Sequence, residues 1–219
     1  MWKSDYGNVL IDTDAAGLEL RVLAHYMDDA DYTAEILDGD IHTANQNMAG
    51  LDTRDQAKTF IYALLYGAGD AKIGSVVNGT AKDGKALRER FLSNLPSFSR
   101  LREAVVHKGT TEGRLRAIDG RQLVVRHPHA SINTLIQGSS AVLMKKWFMN
   151  TAATMKARKT GAKLVAMVHD EMVIECGKES IDSVSDCVKI AISQVNQEYN
   201  LRCKLDCDVQ IGNNWSEIH

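Results

Sequence analysis

The sequence predicts an α+β fold: a small antiparallel sheet backed by helices, with a helical lobe inserted between its strands. Three observations point there. β-prone runs lie near both ends of the chain, a helix-patterned block separates them, and no repeat or low-complexity segment interrupts the order. At 219 residues the chain suits one domain or two lobes sharing a core, and it can bury that core without disulfide staples.

The elements follow in order. Residues 9–14 read as a strand that ends on acids, and residues 17–27 carry Leu18, Val22, Leu23, Tyr26 and Met27 at helical spacing. The chain turns polar at residues 28–31, and residues 41–48 suit a short helix. The clearest helix spans residues 54–66. Thr53 is its N-cap, Gln56 completes a capping box, and Gly67 and Gly69 stop it. Residues 79–113 are amphipathic and broken by Pro96. An extended stretch at 121–126 precedes a long helix over 131–156, apolar through Leu135, Ile136, Val142, Leu143 and Trp147. In KLVAMVHDEMVIEC two β-prone segments flank His169-Asp170-Glu171, a hairpin with acids at its tip or at the end of its first strand. A helix over 180–199 and a strand over 204–211 close the chain.

Composition excludes some classes. A net charge of −2 neither demands nor excludes nucleic acid, and a DNA binder of this composition needs its Lys and Arg gathered on one face. Cys176, Cys187, Cys203 and Cys207 form no C-x-x-C pair. Cys203 and Cys207 have zinc-like spacing but no companion pair or His cluster, so reduced thiols in a cytosolic interior are expected. MWKSDYGNVL lacks the order of a signal peptide, and no apolar run nears the ~20 residues that span a bilayer. The expectation is a soluble, cytoplasmic protein with no membrane partner.

Asp14 and Asp170 each follow an apolar β-like run, which places each at a sheet edge. Two aspartates meeting at one edge suit a pair of Mg²⁺ ions that clamp the attacking and leaving oxygens of a phosphoryl displacement. Aspartate at a strand end is also an ordinary turn former, and spacing alone leaves both readings open. A His-Asp pair like that at 169–170 also serves metal phosphohydrolases on helices, but LVAMVHDEMVIE patterns as strand.

Arg54, Lys58, Tyr62 and Tyr66 recur every four residues and drift slowly along one helix face. A polyphosphate can lie against the two cations near the helix N-terminus, and a base or sugar can stack on the rings. A surface helix with snorkelling cations and half-buried tyrosines fits the same pattern.

Three blocks in order carry a resemblance. DTDAAGLELRVLAHYM resembles the first palm motif of family A DNA polymerases, RDQAKTFIYALLYGAG resembles their fingers helix, and VHDE resembles their third motif. DIHT, NTLIQ and NNWSEIH add to the match, which covers residues 9–219 and is loosest over 71–112. The likeness is to the T7-type phage branch of the family. It implies a palm from residues 1–30 and 121–219 and fingers from 31–120, with thumb and exonuclease domains absent from this chain.

The resemblance implies template-directed DNA synthesis from dNTPs on primer–template DNA with two Mg²⁺ ions, for which Mn²⁺ can substitute. Asp14 and Asp170 would be metal ligands, with the Ala15 carbonyl as a further one, and Glu171 would lie beside the site. Asp12 falls outside the set, because the motif places its glutamate five positions after the catalytic aspartate and Glu19 fits only Asp14. Glu19 would pack beneath the sugar and exclude a 2′-hydroxyl. His42, Arg54 and Lys58 would hold the triphosphate, with Lys58 also donating a proton to pyrophosphate. Tyr62 would stack on the nucleotide, and Tyr66 would sit by the templating base with Gly67 leaving room. Asn133 and Gln137 would touch primer–template, and His169 the primer end. Ala16 stands where many relatives have Ser. A second chain supplying the thumb and exonuclease is the implied partner. A non-catalytic, replisome- or nucleic-acid-binding relative of a polymerase is the competing reading.

Overall fold

The computed structural model describes residues 3–219, so residues 1 and 2 of the expected 1–30 segment lie outside the described residues. The chain forms two compact units, one from residues 1–18 and 140–219, the other from residues 19–139. These divisions differ from those expected at 30 and 121. The helix Leu18–Met27 (α1) and the segment 121–139 go almost wholly with the helical unit, where the Tyr26 hydroxyl lies 2.7 Å from Ser139 Oγ, which also accepts from the Ile118 amide.

The first unit is built on a four-stranded antiparallel sheet in the order β4-β5-β1-β6, where β1 is Asn8–Ala15, β4 Lys163–Val168, β5 Glu171–Gly177 and β6 Cys207–Gly212. Side chains alternate between faces along β1. Leu10 therefore shares a face with Asp12 and Asp14, and it packs with Val173 and Ile218 in a cluster joined by Val165, Ala166 and Trp215. Helix α9 (Ile181–Glu198) lies against β5 and β6. It is tied to the long helix α8 (Ser131–Arg158) by the buried Trp147 indole, which donates to the Val188 carbonyl at 3.0 Å. The last strand starts at Cys207, three residues later than the pattern suggested. The Leu205 amide and carbonyl are both committed to the Asn196 side chain, at 2.7 and 2.9 Å, which removes them from any strand ladder.

The second unit is helical. Beyond α1 it holds α2 (Ala30–Leu37), α3 (Ile41–Ala49), α4 (Arg54–Leu65), α5 (Asp70–Gly74), α6 (Ala81–Asn94) and α7 (Pro96–Glu112). A small hairpin of β2 (Arg114–Arg116) and β3 (Gln122–Val124) follows. Phe60, Phe91 and Phe98 form its buried aromatic centre through edge-on contacts. Truncating such a ring costs about 3–5 kcal/mol. Pro96 breaks the 79–113 pattern by opening α7, where its missing N–H is harmless. Helices α5 and α6 approach so closely that a Cβ on Gly84 would stand 1.9 Å from the Asp70 carbonyl oxygen. The helix α2 begins within residues 28–31, where the sequence shows only a polar run. Asp29 is its N-cap, accepting from the Tyr32 amide, and Tyr32 is buried with its hydroxyl on Asn45. All four cysteines are buried and free, as expected for packed thiols, and burial pushes Cys176 up to about 11 and Cys207 to about 12. Among the described residues no helix is long and apolar enough to cross a membrane.

Candidate active site

The sheet unit gathers carboxylates. Asp14 is the next-to-last residue of β1, opposite Glu171 of β5 on one side and Asp208 of β6 on the other. The β4–β5 connection is the two-residue turn His169-Asp170, with His169 at φ 51°, a backbone region that histidine tolerates better than most side chains. The Ala15 amide donates to the Asp170 carbonyl at 2.9 Å, which fastens the hairpin tip to the end of β1. Asp14 and Asp170 thus meet at one sheet edge, both exposed. Burial of its surroundings raises the Asp14 pKa, and the charges of Asp170, Glu171 and Asp208 raise it further. A group so placed gains from a cation, and the exposed carboxylates suit the oxygen-rich coordination of Mg²⁺. The sequence-predicted Asp14, Ala15, His169, Asp170 and Glu171 therefore share one neighbourhood.

Two members of this face lie outside the predicted set: Asp12, which the resemblance set aside, and His219, which the sequence did not single out. Asp12 is 4% exposed, with Oδ1 lacking a hydrogen-bond partner. Its pKa is pushed up to about 6 by burial, then by Glu171, with His219 opposing. His219 lies 3.1 Å through Nε2 from Glu171 Oε2. Burial opposes its charging, but hydrogen bonds to Glu171 and the Trp215 carbonyl outweigh this and raise its pKa. The polar break after Ile11 was the signal for Asp12; nothing local marks His219.

The helical unit gathers the second set. Both halves of the predicted capping box form: the Gln56 amide donates to Thr53 Oγ1, and Gln56 Oε1 accepts from the Thr53 amide. Arg54 and Lys58 are exposed on the first turns of α4. Arg54 Nε donates to Asp40 Oδ2 at 2.7 Å, and Asp40 also caps α3 through the His42 and Thr43 amides. The Arg54 and Thr43 hydrogen bonds hold the Asp40 carboxyl well below the usual range. Burial, then the charge of Arg54, lowers the His42 pKa, and its Nδ1 is buried without a partner. The rings of His42 and Tyr62 are 6.5 Å apart, and those of Tyr62 and Tyr66 6.2 Å. The Tyr66 hydroxyl donates to Glu19 Oε2 at 2.8 Å, a tie the sequence did not suggest. Gly67 sits at φ +74° with the His129 carbonyl 2.7 Å from where a Cβ would stand, so only glycine fits. On α8, Asn133 is half-buried with Oδ1 unpartnered, and Gln137, one turn on, is exposed. His42, Arg54, Lys58, Tyr62, Tyr66 and Glu19 thus belong to one cluster around α4, which also recruits Asp40.

Comparison with known proteins gives a family and a fold. The sequence model of DNA polymerase family A matches residues 1–217. The DNA-directed DNA polymerases of Enterobacteria phage T3 and Escherichia phage T7 are each 40% identical, over 94% of this chain and 33% of theirs. The chain therefore spans about a third of the length of these relatives. The fold matches the POL domain of Pol1 from M. smegmatis, solved in complex with DNA primer-template and dNTP, at a TM-score of 0.88 and 20% identity. That match covers 99% of this chain and 41% of the other.

Proposed function

The chain belongs to DNA polymerase family A, and we propose that it carries a nucleotidyl-transfer centre that adds dNMP from a dNTP to a primer 3′-hydroxyl under direction of a template. The observation that carries this reading is the meeting of Asp14 and Asp170 at one sheet edge, through the Ala15–Asp170 backbone hydrogen bond. Family A DNA polymerases are generally metal-dependent. Two Mg²⁺ ions, or Mn²⁺ in their place, would supply activation of the 3′-hydroxyl and neutralisation of phosphate charge.

In this proposal residues 1–30 and 121–219 make the palm and residues 31–120 the fingers. Asp14, Asp170 and the Ala15 carbonyl hold the ions, with Glu171 beside them. Arg54 and Lys58 bind the triphosphate, and Lys58 protonates the departing pyrophosphate. His42, whose pKa is lowered by burial and the charge of Arg54, contributes a hydrogen bond to the triphosphate. Tyr62 stacks on the nucleotide, and Glu19 closes the space a 2′-hydroxyl would need. Tyr66 and Gly67 face the templating base, Asn133 and Gln137 the primer–template, and His169 the primer end. Catalysis is then positioning plus charge neutralisation, and sequence selectivity comes from base pairing. A second polypeptide supplying thumb and exonuclease functions is part of the proposal; processive extension by this chain alone would remove it.

The test is single-nucleotide primer extension at high protein concentration, with Mg²⁺ and each dNTP in turn, beside Asp170→Asn. Addition of the templated nucleotide, lost in the variant, supports the reading. Binding of primer–template with no addition, unchanged by Asp170→Asn, would instead assign a non-catalytic nucleic-acid-binding role.

A further inference from the structure

We infer that Asp12, Glu171 and His219 form a divalent-cation site of Zn²⁺ type, separate from the pair Asp14 and Asp170. One ligand atom from each of the three side chains lies within 4.8 Å of the other two. Around a tetrahedral ion with bonds of about 2.0–2.2 Å such atoms stand about 3.4 Å apart, so small side-chain rotations close the set.

The hydrogen bonds argue for a cation. His219 Nδ1 lies 3.2 Å from the Trp215 carbonyl oxygen, which only accepts, so the proton belongs on Nδ1. Nε2, the ring atom left to meet a cation, faces Glu171 Oε2 at 3.1 Å. Asp12 adds a third acceptor, with Oδ1 buried and unpartnered. Three candidate ligand atoms thus converge. A proton on Nε2 would settle the His219–Glu171 contact alone and leave the buried Asp12 oxygen without a partner. A cation satisfies all three.

The ring is also preset for the task. It stacks on Trp215 at 4.1 Å and 14°, and the preceding residue, Ile218, is buried against Leu10 and Val173. Second contacts of this kind orient metal-binding histidines. One imidazole nitrogen with two carboxylates suits Zn²⁺, whereas Mg²⁺ prefers an octahedral set of oxygens and gives up its water reluctantly. A bound ion would fasten the segment around Trp215 to the sheet and hold Glu171 in place beside Asp170.

Zn²⁺ binding to the whole chain tests this, in an Asp14→Asn/Asp170→Asn background that removes the neighbouring pair and with Mg²⁺ in large excess. We expect one equivalent bound by calorimetry, with a rise in Tm on adding Zn²⁺. In ¹⁵N-histidine NMR, Nε2 of His219 should shift to a metal-bound position while Nδ1 stays protonated. Asp12→Asn and His219→Gln, each checked for cooperative melting in chelator, should weaken binding at least about tenfold and abolish the Tm rise. Absence of Zn²⁺ binding in excess Mg²⁺ would overturn the inference. So would an affinity indifferent to both variants, or a His219 signal unmoved by Zn²⁺. Because the background lacks the proposed catalytic pair, this outcome is independent of primer extension.

Discussion

The two units treat charge in opposite ways. On one face of the sheet, Asp14 stands among Asp170, Glu171 and Asp208, and Asp12 lies below them; each of these neighbours raises the pKa it acts on. Around α4 the arrangement is already balanced: Arg54 is hydrogen-bonded to Asp40, and that ion pair is half exposed, at 52% and 42%. Crowded carboxylates are relieved by protonation or by a bound cation. A balanced exposed pair requires nothing, and it sets only a small competition for any anion that arrives. In the proposed reaction the sheet face would gain from a cation, and the α4 cluster would give up a contact to a triphosphate.

Neutralising one acid breaks the first half of this contrast most severely. Asp14→Asn or Asp170→Asn should lower templated extension by about a thousandfold or more, because one side chain then holds what two did. Gel assays of nucleotide addition would show it, and a loss below tenfold would mean the pair does not act as a unit. On the other side, Lys58→Ala should lower extension by about a hundredfold, the usual effect of removing one preorganised charge from transferred phosphate. Thermal melting should barely change, since Lys58 is exposed.

The same contrast separates what the sequence could show from what it could not. Helix α4 was legible because its cap, stop signals and four-residue stripe are all local, and the structure realises the capping box in full. The junction of Asp14 with Asp170 was legible as two strand-end acids, although only the register of β1 on β5 brings them together. Helix α2 was missed because an acid-rich run signals an N-cap as readily as a loop. The Asp12–Glu171–His219 group had no local signature at all: Glu171 and His219 are 48 residues apart, joined by strand pairing and by the packing of Ile218. Asp40 lay within the quoted DIHT, but its grip on Arg54 depends on how α3 meets α4.

Asp12 offers a thermodynamic measure of the crowding. Its folded pKa is about 6 against an ordinary 3.8, so between these values the folded chain binds more protons than the unfolded one. Stability contributed by this group is therefore present at low pH and is lost as pH rises through about 4 to 6. In chelator at pH 7, Asp12→Asn should raise stability by about 1–2 kcal/mol, the linkage value discounted for solvent screening. At pH 4 it should be nearly neutral. Urea unfolding at the two pH values checks this, and an equal effect at both would show that the gain is not electrostatic.

The smallest effect tests the balanced side. Asn serves as well as Asp at an N-cap, so Asp40→Asn keeps the cap of α3 while removing the charge that holds Arg54. If triphosphate must displace Asp40 from Arg54, releasing that guanidinium should lower the KM for dNTP by about two- to fivefold, the small effect expected of an exposed pair. The rate at saturating dNTP should stay constant, because the contact is made equally in ground and transition states. A raised KM would mean the reverse: Asp40 positions Arg54 for phosphate, and the ion pair belongs to the binding geometry instead of opposing it.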